Sequence, residues 1–127
     1  MTINLKEGLQ HISEFQVTYD DTAIKFESGN LKVLATPALI AFMENTAFNS
    51  VLSLLPKGYN TVGTEVNIKH LRATPVGVKV RCKAVLKNID GSNLLFDVFA
   101  WDNIGEIGKG THKRYIIETE RFMKNIN

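Results

Sequence analysis

The run from Ala35 to Pro56, ATPALIAFMENTAFNSVLSLLP, constrains the fold most. It holds no lysine, arginine or aspartate, and Glu44 is its single charge. Thr36 is placed to cap a helix, with Pro37 at the first helical position, where the missing N–H costs nothing. Pro56 and Gly58 supply the stop and the turn. On a 3.6-residue period Glu44 is flanked by Ile40, Ala41, Ala47, Phe48 and Val51, so it interrupts an apolar face. At about 18 residues and carrying a charge, the run is marginal for a membrane span. It reads as a buried helix with a carboxylate at its middle.

The whole chain of 127 residues suits one domain, 1–127, with a core of its own. A charged fraction of 22% and a hydrophobic fraction of 44% are those of a globular protein. A net charge of +2 is too small to imply nucleic acid, though it suits an anionic small ligand. The single cysteine, Cys82, excludes an internal disulfide, and no cysteine–histidine cluster has the spacing of a metal site. MTINLKEGLQ lacks the apolar centre of a signal peptide, and the expectation is a soluble, cytoplasmic protein.

Strands surround the helix in sequence. Residues 1–12 read as a short strand or a loose arm. Glu14 to Tyr19 alternates Phe15, Val17 and Tyr19 against polar neighbours. Lys25 to Leu34, with its Ser28-Gly29-Asn30 turn, reads as a surface connection at the helix start, where a lid would sit. After the helix, Thr61 to Leu71 sets Val62, Thr64, Val66, Ile68 and His70 on one face, against Glu65, Asn67 and Lys69. Val78 to Lys87 alternates in the same way, Asp90-Gly91 signals a hairpin, and further strands follow at Leu94–Trp101 and about Glu106–Glu118. Thr119 to Asn127 reads as a fraying polar tail. The class is α+β, one curved antiparallel sheet around one helix, and its open edges favour a dimer.

Several residues point to chemistry. An ionised Glu44 among apolar neighbours is costly unless paired. His70 continues the apolar face of its strand, so it points toward the helix if that face packs there. A carboxylate–imidazole pair would satisfy both groups and create a base. Against this stand the bland readings: Glu44 facing solvent or a partner's lysine, His70 as a core histidine, Thr36 as a simple cap. Gly63 reads as a bulge or as a backbone N–H freed for a ligand. Arg114 follows His112 and Lys113 on the last strand. No phosphate loop or nucleophile elbow is present.

The segments A-T-P-A-L-I-A-F-M-E-N, T-V-G-T-E-V-N-I-K-H, A-T-P-V-G and G-K-G-T-H-K-R, in this order, resemble the hotdog-fold thioesterases of the fluoroacetyl-CoA thioesterase type, from about Lys32 to Ile117. The resemblance implies a long helix wrapped by an antiparallel sheet, working as a homodimer; whether dimers pair further into a tetramer is left open by the sequence. It implies hydrolysis of an acyl-CoA thioester without metal or redox cofactor, coenzyme A being part of the substrate. By the same resemblance Thr36, Glu44 and His70 are catalytic, Gly63 offers its N–H to the thioester carbonyl, and Arg114 belongs to the substrate site. The connection before the helix is shorter than in the fluoroacetyl-CoA enzyme and its Ser28-Gly29-Asn30 carries no aromatic lid residue, which favours a small acyl group other than the fluorinated one. The alternatives are a non-catalytic dimer that binds acyl-CoA or a small acid and, further off, a hotdog hydratase of enoyl thioesters. Two geometric demands compete: a helix capped by Thr36 leaves Glu44 about 12 Å further along its axis.

Overall fold

The computed structural model describes residues 3–127. In chain order the elements are β1 (Gln10–Gln16), α1 (Ala23–Phe26), α2 (Thr36–Leu52), β2 (Tyr59–His70), β3 (Lys79–Asp90), β4 (Asn93–Trp101), β5 (Glu106–Glu118) and α3 (Thr119–Ile126). The five strands form one antiparallel sheet in the order β1-β3-β4-β5-β2. β2 and β3 follow each other in sequence yet lie apart. The link between them spends its hydrogen bonds elsewhere: Leu34 N–H donates to Thr74 O at 2.8 Å, and Val33 bridges Pro75. A hairpin is thereby replaced by a crossing beneath the start of α2.

The sheet takes one side of α2. Ala38, Leu39, Met43, Ala47 and Val51 pack against Val80, Cys82, Ala84 and Leu86 of β3 and Phe96, Val98 and Ala100 of β4. Each large side chain so buried contributes about 2 kcal/mol. The other side of the helix is open: Pro37, Ala41, Asn45 and Asn49 are exposed, and Ile40, Glu44 and Phe48 half-buried. The helix is therefore buried along one face, and Glu44 stands at the edge of that face rather than inside the core.

The helix also starts and ends differently from its sequence signals. Ala35 (φ −73°, ψ 145°) holds the cap position, Thr36 is the first helical residue, and the helix closes at Leu52. Turns from Leu54 N–H to Val51 O and Leu55 N–H to Leu52 O consume the segment ahead of Pro56, as expected of a residue that disfavours helix before it. β1 lies earlier than its alternation suggests. Val17 N–H already bonds Val78 O outside the strand, and Tyr19 begins a single 3₁₀ turn, Tyr19–Asp21. Within the connection before α2, Thr22 accepts from Lys25 N–H and caps the one-turn α1. The tail is a helix, α3, with Phe122 half-buried toward Tyr59 and Ile116. Among the described residues no helix is long and apolar enough to cross a membrane.

A bulge in β2 corrects the alternation read from its sequence. Gly63 pairs with Arg114 and Glu65 with Lys113, so Thr64 is the extra residue. Before it Thr61 and Gly63 face the helix; after it Val66, Ile68 and His70 do. Val62 shares the outer face with Tyr115, and Thr64 turns out to donate to Lys113 O at 3.2 Å. On β5 the inner positions run Gly108, Gly110, His112, Arg114, Ile116. A Cβ at Gly108 would lie 2.9 Å from Leu39 Cδ2, and one at Gly110 would run into the Asn67 carbonyl.

Candidate active site

Two clusters form at different heights along α2. At its first turn, Thr36 Oγ1 lies 2.8 Å from His70 Nδ1. The helix start supplies the threonine because Ala35 has taken the cap, and the last position of β2 supplies the histidine. They border a cleft of about 430 Å³ lined also by Ala23, Val33, Pro37 and Arg72. Ser28 of the preceding connection lines it too, so that connection does lie over the helix start. Burial pushes the His70 pKa below its ordinary 6.5, partly offset by the Arg72 backbone. The ring is thus neutral at neutral pH, as a base must be. Its Nε2 is buried and has no hydrogen-bond partner among the described residues.

The wall of this cleft is pinned from behind. Asp102, whose side chain is 1% exposed, accepts from Arg72 Nη2 at 2.6 Å, Thr74 Oγ1 at 3.0 Å, Ile104 N–H at 2.8 Å and Gly105 N–H at 3.2 Å. Burial alone would raise its pKa, but these donors hold it down at about 2. Sequence reading passed over Asp102, since an aspartate in a D-N-x-G turn looks like turn chemistry alone.

Two turns further along the helix, Glu44 borders a separate hollow of about 310 Å³ with Ala41, Asn45, Phe48 and Arg114. Gly63 makes room for this cluster. A Cβ there would stand 2.9 Å from Glu44 Oε2, 3.2 Å from His112 Cε1 and 3.4 Å from Arg114 Nη1. Arg114 is 7% exposed and donates through Nε to Thr61 Oγ1 (2.8 Å) and through Nη2 to Thr61 O (3.0 Å), with Phe48 beneath its guanidinium at 5.6 Å. Burial presses the Arg114 pKa down, and the nearby Glu44 charge raises it. Thr36 with His70, and Glu44 with Gly63 and Arg114, are thus brought together as two groups. The eight helical steps from Thr36 to Glu44 separate them by about 12 Å along the axis within one chain.

One long helix seated on a curved five-stranded antiparallel sheet is the hotdog fold, and comparison with known proteins places the chain among hotdog-fold thioesterases. The sequence matches the family described as "FlK: Fluoroacetyl-CoA-specific thioesterase" over residues 17–120. It is 35% identical over 91 residues to the fluoroacetyl-CoA thioesterase of Streptantibioticus cattleyicolor, covering 72% of this chain and 66% of that protein, just under two thirds of its length. A solved structure of the fluoroacetyl-CoA thioesterase FlK superposes with a TM-score of 0.92 at 28% identity, covering 97% of this chain and 96% of that one. A thioesterase superfamily member from Thermus thermophilus superposes with a TM-score of 0.88 at 26% identity, covering 95% and 90%. The chain belongs to the fluoroacetyl-CoA-specific thioesterase family.

Proposed function

We propose that the protein hydrolyses a small acyl-CoA thioester to the free acid and coenzyme A. The observation that carries this is the 2.8 Å Thr36–His70 contact at the mouth of a cleft, in a chain of this family. A neutral His70 takes the proton from water and returns it to the departing thiolate, so that water adds across the C–S bond. Thr36 places its hydroxyl by the reacting group. Glu44 orients the water or attacks the carbonyl, the Gly63 N–H favours the oxyanion, and Arg114 holds the substrate side of the hollow. FlK structures hold fluoroacetate with coenzyme A, or acetyl-CoA; a small acyl group is the corresponding proposal for this chain.

The proposal includes a homodimer acting in the cytoplasm. Glu44 lies about 12 Å along the helix axis from Thr36, the partner of His70, and in this proposal a second copy supplies the carboxylate. The half-buried Ile40 and Phe48 around Glu44, and the free edge of β2, offer surfaces for that copy.

The test is thiol release from a panel of short, branched and aromatic acyl-CoAs, with Glu44→Ala and His70→Ala alongside. Turnover of one member that falls at least about a hundredfold in both variants is expected. Folded wild-type protein that binds but turns over no member would make it a binding protein instead.

A further inference from the structure

The third histidine has both ring nitrogens committed. His112 is 1% exposed on the inner face of β5, with Nδ1 2.9 Å from the Glu65 carbonyl and Nε2 3.1 Å from Arg114 Nη1. A carbonyl only accepts and a guanidinium only donates. The two contacts therefore fix the ring: Nδ1 carries the proton and Nε2 presents a bare lone pair. An imidazolium would set N–H against N–H. Arg114 in turn is held at all three nitrogens, two by Thr61 and one by His112.

We propose that His112 is a positioning residue: the Glu65 carbonyl locks its tautomer, and its Nε2 holds the Arg114 guanidinium in the hollow it shares with Glu44. The effect on turnover rests on the thioesterase reading above; the tautomer lock does not. Charged groups face the ring from two elements, Arg114 on β5 and Glu44 on α2. β2 offers the Glu65 carbonyl while the Glu65 carboxylate turns outward to Lys113 at 3.6 Å, and β4 offers the ring of Phe96, 6.4 Å away. Burial presses the ring toward the neutral form; the Glu65 carbonyl opposes this, Arg114 adds to it and Glu44 opposes it, and the net direction is down. Acid that does protonate Nε2 releases Arg114.

Two measurements on the full chain test this. Imidazole nitrogen NMR at neutral pH is expected to show His112 with a protonated Nδ1 and an unprotonated Nε2. The opposite tautomer, or an imidazolium, overturns the lock whether or not the protein is an enzyme. Turnover is then compared for His112→Leu, which has no acceptor, and His112→Gln, whose amide oxygen can accept from Arg114. With folding checked by circular dichroism, KM is expected to rise about tenfold or more in the leucine variant, with kcat less changed, and to recover to within about threefold in the glutamine variant. A folded leucine variant with wild-type KM, or a glutamine variant no better than the leucine one, overturns the positioning role. Should the leucine variant not fold, the glutamine variant against wild type and the NMR decide. Wild-type protein inactive on every acyl-CoA would defeat the thioesterase reading, and the NMR result would still judge the lock.

Discussion

Gly63 is constrained by space rather than by backbone conformation. Its φ is not among the positive ones of this chain, and what a Cβ would meet first is a flexible side-chain end, Glu44 Oε2 at 2.9 Å. Gly63→Ala is therefore expected to push the Glu44 carboxylate aside and to press on the fixed His112 ring, lowering the melting temperature by a few degrees and kcat by up to about a hundredfold. Steady-state kinetics beside thermal melting would check it, and an alanine variant with wild-type kcat would show that Glu44 needs no such clearance. The same scale explains Thr36. Its hydroxyl was legible as a polar group at a helix start, but a cap and a partner for His70 look alike in sequence. The structure separates them because Ala35 occupies the cap position. Cys82 is a buried thiol with its pKa pushed up to about 12 by burial, and so carries no nucleophilic chemistry at neutral pH.

Among the elements, the turn between β4 and β5 does more than reverse the chain. Through Asp102 it fastens Arg72 and Thr74, the segment that leaves β2 directly after His70. Asp102→Asn removes the charge that these donors favour, and should cost about 2 kcal/mol, or roughly 6–10 °C in melting temperature. Because the folded pKa of about 2 lies below the ordinary 3.8, that contribution is complete above the ordinary value and is lost as pH falls through about 2. Denaturation of wild type and variant at neutral pH and near pH 2 would show the gap closing in acid. Most elements were legible from the sequence: the apolar helix, the β3 alternation of Val80, Cys82, Ala84 and Leu86, and the Asp90-Gly91 hairpin all appear where their patterns lie. What period-2 reading lost was the phase of β2. One extra residue at Thr64 turns Val62 outward and leaves His70 inward; Gly63 marked a possible bulge here, but apolar spacing alone does not show which residue is the extra one. The tail was lost because polar residues hide an amphipathic turn of helix, visible once Tyr59 and Ile116 stand beside it.

For the molecule as a whole, the buried His112 and the half-buried His70 weaken stability on the acid side. Both His70 and His112 have pKa values lowered from 6.5. Below 6.5 the unfolded chain takes up protons that the native state refuses, so stability is full above the ordinary value and declines as pH falls toward the folded ones. Urea midpoints measured from about pH 7.5 down to about pH 5 should fall, with a shallower slope in His112→Gln; a flat or rising profile would contradict the burial of these rings. A last consequence concerns how α2 is seated. The inner face of β5 climbs from bare backbone at Gly108 and Gly110 to a whole guanidinium at Arg114. The helix resembles a beam on a stepped support, resting low where Leu39 and Met43 meet Gly108 and propped near Phe48 by Arg114. Thr36 and Glu44 lie on either side of that low bearing. A methyl group added at Gly108 would therefore tilt the beam and move both reactive groups at once, although it touches neither.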